Sequence, residues 1–410
     1  MTAAWGVLMK IVDAKVYCPD GVFRRQDVNI EGERFAQNSS DGDVHGCGAA
    51  GPGEVIDGSG CYAVPGFIDI HFHGAMGMDV CDKTADAFTE IGRYELQQGI
   101  TSMCPATLTL PVQELKRVLS LGAEYAGSRV SHIGGDAEYS CGGAELLGFN
   151  MEGPFISREK KGAQNEEFIL PCDSKIVDEF IQSSKGLLKI IGLAPEANPD
   201  FEEYIKSVRD RVTVALAHTG TDYDTAMRAF EAGASHVVHL YNAMPELAHR
   251  GPGLIGAAFD FGRATCEIIC DGIHSHPAAV RAAFRLMGPH NMILISDSLR
   301  CCGMEDGEYE LGGQSVIKSG KYCRLKDAGN IAGSVSNLFD CFRTAVLDMD
   351  IPLADAIAAC TINPARRIGE AGNYGSVEPG KYADLLLIDK DSLELCKVIK
   401  RGRIIEKENA

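Results

Sequence analysis

Short apolar runs recur along the middle of the chain, each about as long as a buried β-strand. Eight of them occur, at residues 67–71, 101–107, 146–151, 188–193, 213–218, 236–240, 265–270 and 292–296. Stretches with helical periodicity lie between most of these runs, at residues 84–98, 112–126, 201–210, 222–232 and 277–287. Strands that alternate with helices are typical of a parallel sheet, and eight such strands predict a closed α/β barrel of the (β/α)8 or TIM type.

Both ends of the chain have a different pattern. Shorter β-like runs occupy residues 6–17, 22–30 and 54–56 near the start, and residues 384–388 and 396–405 near the end. We expect the two ends to pair in one small β-sandwich domain, made of residues 1–63 and 370–410. Residues 64–369 would then form the barrel domain.

Polar residues lie at or just past the ends of five of the eight apolar runs. They are His71, His73, Glu152, His218, His239 and Asp297. Taken alone, His71 and His73 are explained equally well as metal ligands or as hydrogen-bonded histidines at a strand end. Their spacing points both side chains the same way. Six such residues at the carboxyl rim of a barrel, where active sites lie, predict a divalent cation site instead. Imidazole and carboxylate ligands together suit zinc or ferrous iron.

Composition restricts the classes of partner. The chain has 410 residues, 45% of them hydrophobic, and a formal charge of -18. This charge argues against nucleic acids and anionic membranes as partners, because a protein that binds either of them needs a basic surface. The sequence contains no run of roughly 18 apolar residues that would predict a membrane span, and the first ten residues lack the features of a secretion signal. We therefore expect a cytoplasmic protein. The 15 cysteines contain no C-x-x-C pair and are interpreted as reduced core thiols.

Several motifs resemble a known family. Residues 65–74 (PGFIDIHFHG) and 377–384 (VEPGKYAD) resemble the amidohydrolase superfamily. More specific motifs lie at 151–155 (MEGPF), 160–165 (KKGAQN), 193–196 (LAPE), 218–220 (HTG), 239–245 (HLYNAMP), 271–274 (DGIH) and 295–297 (ISD). Together they are similar to the N-acetylglucosamine-6-phosphate deacetylase family across nearly the whole chain.

This resemblance implies a metal-dependent hydrolysis of the acetamide of N-acetylglucosamine 6-phosphate. It assigns Glu152, His218 and His239 as metal ligands, and retention of His71 and His73 makes a second ion possible. Asp297 would take a proton from the attacking water and return it to the departing nitrogen. The alternative role for Asp297 is a carboxylate that only orients a ligand.

The resemblance also implies the substrate contacts and a homodimer. Asn242, the backbone of Ala243 and Arg250 match the phosphate-binding pattern, and a guanidinium can grip phosphate with two parallel hydrogen bonds. His274 matches a histidine that contacts the sugar. Gln164 stands where family members often have a histidine, and its amide could still donate a hydrogen bond to the substrate. No role is assigned to His236, His249 or His276.

Other functions remain open at this point. The substrate could be another phosphorylated N-acetylhexosamine, such as N-acetylgalactosamine 6-phosphate, or the chain could be a non-catalytic scaffold, which retention of the ligands opposes. A cyclic-amide hydrolase is disfavoured, because Lys189, the lysine of the fourth run, lies near its start rather than at the rim. An acidic insertion at residues 299–331 has a hairpin-like pattern, and we expect it to cover the site.

Overall fold

A barrel of eight parallel strands forms the centre of the protein. The computed structural model describes residues 8–37, 53–128, 130–133, 136–139 and 142–407. In chain order the barrel strands are Phe67–Asp69, Ile100–Met103 with Ala106–Thr107, Glu145–Leu146 with Phe149–Phe155, Leu188–Leu193, Thr213–Leu216, His236–Val237, Thr265–Ile269 and Met292–Ile295. The predicted (β/α)8 barrel is confirmed, and each of the eight apolar runs supplies one strand.

The strands follow one another around the ring in sequence order. The second and third strands are each interrupted, so their first pieces pair beside the first strand and their second pieces join the ladder that runs to the eighth. The ring closes just beyond the strand ends, where the backbone N–H of Asp297 donates to the carbonyl of His71 at 2.9 Å. The N–H of His73 likewise donates to the carbonyl of Ser298 at 2.8 Å. This closure brings the eighth strand's exit beside the two histidines of the first.

Ten α-helices occur in the described residues. They are α1 (Ala85–Gln97), α2 (Val112–Ser128), α3 (Ser174–Ser183), α4 (Phe201–Val208), α5 (Tyr223–Ala232), α6 (Gly253–Phe261), α7 (Pro277–Met287), α8 (Leu338–Leu347), α9 (Leu353–Cys360) and α10 (Ile362–Arg367). All five helical stretches predicted from periodicity form helices, because each presents an apolar face to the barrel. None of the helices in the described ranges is both long and apolar enough to cross a bilayer.

Two further sheets are built from the ends of the chain. One has the strand order Arg34–Phe35, Val28–Glu31, Leu8–Val12, Glu54–Asp57. The other has the order Arg403–Ile405, Leu395–Lys400, Leu385–Asp389, Cys61–Pro65, Lys15–Tyr17, Phe23–Arg25, and so contains both chain ends. Ile11 and Ile30 of the first sheet share a buried core with Leu385 and Ile399 of the second.

We propose that these two sheets form one sandwich domain of residues 1–63 and 370–410. The shared core supports this division. Residues 1–7, 38–52 and 408–410 of the proposed domain lie outside the described residues. The strand Cys61–Pro65 continues directly toward the first barrel strand, which connects the two proposed domains by a very short link.

Buried ion pairs join the terminal sheet to the barrel. Lys400 is wholly buried, and its Nζ lies 3.1 Å from Glu145 Oε2 and 2.7 Å from Asp384 Oδ2. Arg401 Nη2 lies 2.6 Å from Glu145 Oε1. Burial alone would raise the pKa of Glu145, but the charges of Lys400 and Arg401 lower it to about 2. Glu145 begins the third barrel strand, so these pairs hold that strand against the terminal sheet.

The insertion after the eighth strand forms a small antiparallel sheet. Its strands are Gly307–Leu311, Gln314–Ser319 and Tyr322–Leu325. The hairpin expected there is present and continues into a third strand. Leu311 and Ile331 of this insertion line the cavity at the carboxyl end of the barrel, so the insertion forms part of its wall. Two more two-stranded pairs are Gly74–Ala75 with Met78–Asp79 and Val130–Ile133 with Asp136–Tyr139.

Candidate metal centre

Six buried side chains converge at the carboxyl end of the barrel in two groups. One group is Glu152, His218 and His239, and the other is His71, His73 and Asp297. Within each group the potential ligand atoms all lie within 4.8 Å of one another. All six residues predicted to surround a cation are therefore brought together.

Glu152 is the centre of the first group. Its Oε1 lies 2.7 Å from Nε2 of His218 and 2.8 Å from Nε2 of His239. Burial alone would raise the pKa of Glu152, but the two imidazoles lower it well below its usual range. An ionised carboxylate and two imidazole nitrogens at this spacing form a donor set that fits a divalent cation.

The second group shares the space on the other side of Glu152. Asp297 Oδ1 lies 3.3 Å from His73 Nε2 and 3.7 Å from His71 Nε2. His71 Nε2 lies 3.6 Å from Glu152 Oε1 and has no hydrogen-bond partner in the described part of the chain. A buried imidazole nitrogen aimed between two carboxylates without a partner is costly unless something binds it. The residues therefore fit a second divalent cation, with Glu152 between the two groups.

Three of these ligand residues adopt positive φ angles. The values are 43° for His218, 28° for His239 and 50° for Asp297. Residues other than glycine rarely adopt this conformation, and each instance costs roughly 1–3 kcal/mol. Such strain is concentrated at functional sites, where surrounding contacts hold it. Here the three positive φ angles occur where strands five, six and eight end. At these positions the side chains of the three residues turn toward the space that the two groups share.

A loop after the third strand fixes the orientation of His218. The carbonyl oxygen of Lys160 lies 2.8 Å from His218 Nδ1, which leaves Nε2 to face Glu152. Gly162 passes so close that a Cβ there would lie 3.2 Å from His218 Cε1, and its φ of 55° also favours glycine. The glycine in the 160–165 motif thus permits this close packing.

Gln164 of the same loop contacts Glu152, one of the candidate metal ligands. Its Oε1 accepts a hydrogen bond of 2.6 Å from the backbone N–H of Thr109, and its Nε2 donates to Glu152 Oε2. Gln164 also lines the cavity. The amide that we predicted to bind substrate is thus engaged with Glu152, and its contact with substrate stays a prediction.

A cavity of about 240 Å³ opens above the two groups. The predicted substrate residues Asn242, Ala243 and His274 line it. Asp271 Oδ2 lies 2.8 Å from His274 Nδ1, which leaves Nε2 as the ring nitrogen available to a ligand. Burial alone would lower the pKa of His274, but Asp271 raises it. Arg250, by contrast, is exposed and does not line the cavity, so its role in phosphate binding stays a prediction.

Glu267 is a buried residue of this region that the sequence analysis missed. It lies within the seventh strand, and its Oε2 is 2.8 Å from His71 Nδ1. Its Oε1 is 2.9 Å from His236 Nε2, so His236 also has a structural partner beside the site. The six predicted residues all lie at strand ends, whereas Glu267 lies inside a strand. A glutamate inside the apolar run at 265–270 was the signal that could have identified it.

Comparisons of the chain with family models and with known proteins all indicate the same family. The model of the amidohydrolase family matches residues 62–407. An N-acetylglucosamine-6-phosphate deacetylase of Bacillus subtilis (strain 168) is 38% identical over 342 residues, which are 83% of this chain and 84% of the relative. An N-acetylgalactosamine-6-phosphate deacetylase of Escherichia coli O157:H7 is 33% identical over 79% of this chain and 83% of the relative.

A solved structure supports the same grouping. It is a mutant N-acetyl-D-glucosamine-6-phosphate deacetylase of Mycobacterium smegmatis in complex with N-acetyl-D-glucosamine 6-phosphate. It matches with a TM-score of 0.84 and 26% identity, over 98% of this chain and 99% of that chain. The chain therefore belongs to the N-acetylglucosamine-6-phosphate deacetylase family within the amidohydrolases.

Proposed function

We propose that this protein hydrolyses the acetamide of N-acetylglucosamine 6-phosphate to glucosamine 6-phosphate and acetate. The observation that carries the proposal is the convergence of the two ligand groups beneath one cavity. Relatives that carry this activity in their names match most of the chain, which supports the same substrate class. The reaction belongs to the breakdown of amino sugars.

Divalent metal, one or two ions per chain, is the proposed cofactor. Glu152, His218 and His239 would hold the first ion, and His71 with His73 and Asp297 would hold the second. Zinc or ferrous iron suits this mixture of nitrogen and oxygen donors. A bound ion would lower the pKa of water from about 15.7 toward about 7 and polarise the acetyl carbonyl.

Asp297 is the proposed acid and base. Burial alone would raise its pKa, but the hydrogen bond with His73 and the nearby charge of His71 lower it. Asp297 is therefore ionised at neutral pH and can accept the proton of the attacking water. The same carboxyl group would then return this proton to the glucosamine nitrogen when the tetrahedral intermediate collapses.

The cavity walls would orient the sugar. His274, held by Asp271, would contact the sugar through Nε2, and Asn242 with the backbone of Ala243 would receive the phosphate. Arg250 would add charge to the phosphate site from its exposed loop, and Gln164 would steady Glu152 while facing the substrate. These roles are consistent with the lining of the cavity for all but Arg250.

A second candidate substrate is N-acetylgalactosamine 6-phosphate. The Escherichia coli relative that is named as a deacetylase of this sugar is 33% identical to the chain over most of its length. The identity to the Bacillus relative is 38%, only five percentage points higher. A cyclic-amide hydrolase is disfavoured further, because Lys189 Nζ pairs with Glu370 Oε1 at 2.9 Å, near the start of the fourth strand and away from the ligands. The intact ligand groups likewise oppose a non-catalytic scaffold.

One assay tests the proposed activity. Acetate release should be measured with N-acetylglucosamine and N-acetylgalactosamine, each with and without a 6-phosphate, and with and without a chelator. We expect removal of the phosphate to lower kcat/KM at least about tenfold, which is roughly 1.4 kcal/mol. The chelator should abolish turnover until metal is restored. Equal rates on the unphosphorylated sugars would contradict the proposal.

We also propose that the protein acts as a cytoplasmic homodimer. The resemblance to the family supports the dimer. Buried free thiols, such as Cys301 and Cys323 with Sγ atoms 3.8 Å apart, suit a reducing compartment. Light scattering coupled to size-exclusion chromatography would measure the mass of the assembly, and cell fractionation would test the compartment. A monomer, or recovery outside the cytoplasm, would contradict the respective part.

A further inference from the structure

We infer that Glu267 is a positioning residue on which binding of the second metal ion depends. The inference rests on the metal centre of the proposed function. Glu267 reaches neither the cavity nor the substrate side of the ligands, and it is wholly buried beneath them. It contacts a ligand histidine from each of the two groups, and these contacts give it its role.

Four hydrogen-bond donors surround the Glu267 carboxylate. Oε2 accepts from His71 Nδ1 at 2.8 Å and from the backbone N–H of His239 at 3.1 Å. Oε1 accepts from Asn150 Nδ2 at 3.0 Å and faces His236 Nε2 at 2.9 Å. An ionised carboxylate has about four acceptor positions and no donor, so it satisfies all four neighbours at once. A glutamine amide offers one acceptor oxygen, and its NH₂ group would face two of these donors.

The contact with His71 determines which ring nitrogen faces the centre. When Nδ1–H donates to Glu267, Nε2 carries the lone pair that points between Glu152 and Asp297. A carboxylate behind a ligand histidine fixes both the tautomer and the ring orientation. Without it, the buried imidazole of His71 could rotate or take the other tautomer.

The remaining contacts hold Glu267 itself in place. Thr265 Oγ1 lies 2.7 Å from His236 Nδ1, so His236 is held on both sides. Asn150 Nδ2 also donates to the carbonyl of Ile70 at 3.0 Å, and Asn150 precedes Glu152 by two residues on the third strand. Glu267 is therefore linked to the first, third and sixth strands, which carry ligands of both groups.

The decisive experiment measures zinc binding rather than turnover. The full-length parent and Glu267→Gln would be freed of metal and equilibrated with buffered zinc, and bound zinc would be counted by mass spectrometry. Glu95→Gln provides a matched control. Glu95 is another wholly buried glutamate of the barrel domain, and neither carboxylate oxygen has a hydrogen-bond partner in the described ranges.

We expect Glu267→Gln to weaken the second zinc by roughly tenfold to a hundredfold, the usual effect of removing such a supporting group. The first zinc, and both zincs of Glu95→Gln, should bind as in the parent. If Glu267→Gln fails to fold, Glu267→Asp keeps the charge but withdraws it from His71, and it should show the same selective loss. The inference is wrong if the parent binds one zinc only, or if the folded Glu267 variants keep the second zinc as tightly as the parent. A parent with two zincs and no acetate release would contradict the proposed function alone.

Discussion

Replacement of Asp297 by asparagine separates proton transfer from binding. The two side chains have nearly the same shape, so the change removes the proton acceptor with little loss of packing. The carboxylate lies at the cavity wall, 3.3 Å from His73 Nε2, and its lowered pKa keeps it ionised at neutral pH. Glu152, the other carboxylate of the two groups, is already engaged by His218 and His239. We therefore expect no substitute base among these residues.

The magnitude follows from the two proton transfers assigned to one group. General acid or base catalysis contributes about 10² to 10⁴ in rate. We expect Asp297→Asn to lower kcat at least about a hundredfold, which raises the barrier by roughly 2.7 kcal/mol. The first ion should be retained, because Asp297 is not part of the Glu152 group. The second ion should bind more weakly, because its group loses the charged oxygen.

The assay is steady-state acetate release with N-acetylglucosamine 6-phosphate, together with metal analysis of the same sample. Asp69→Asn is a suitable control, since Asp69 is also buried and lies two residues before His71, but does not line the cavity. The Asp69 carboxylate accepts from Ser296 Oγ and from the His71 N–H, and an asparagine oxygen can still accept one of these hydrogen bonds. Activity of Asp297→Asn within a few-fold of the parent, or loss of both ions, would refute the assigned role.

Three further predictions address binding, stability and the unusual glutamine. Arg250→Ala should raise KM for the phosphorylated sugar about tenfold and leave kcat nearly unchanged, and an unchanged KM would exclude Arg250 from phosphate binding. Glu145→Gln should lower the free energy of unfolding by roughly 3 kcal/mol at neutral pH, because the folded pKa is about 2 against an ordinary 4.5. A group whose pKa is lowered by folding stabilises the folded state at pH values above its unfolded pKa. Chemical denaturation should therefore show the full difference in unfolding free energy above about pH 4.5 and a smaller difference as the pH falls toward about 2. A difference that does not depend on pH would contradict the assignment. Gln164→Glu should weaken activity at least tenfold, since it places a second carboxylate against Glu152, and an unaltered rate would show that the amide contact is dispensable.

Local pattern was sufficient to predict the architecture and the polar residues that converge at the barrel rim. Apolar runs and helical periodicity depend on neighbours in sequence, so the eight strands and five of the helices could be assigned before any contact was known. The gathering of six polar residues followed from one geometric rule, because parallel strands of a barrel place their carboxyl ends at one rim. The motifs shared with the family then indicated the substrate class.

Only the tertiary structure decided how those residues act on one another. Glu267 and His236 lie inside strands, where the sequence can mark a buried polar residue but cannot identify its partners. The hydrogen bond of Gln164 to Glu152 joins a loop to a strand 12 residues away, and the distance of Arg250 from the cavity depends on how its loop folds. Contacts between distant segments depend on three-dimensional packing, which local propensity does not encode. The sequence alone therefore determined which residues gather at the rim, whereas the fold determined which residues contact them and which line the cavity.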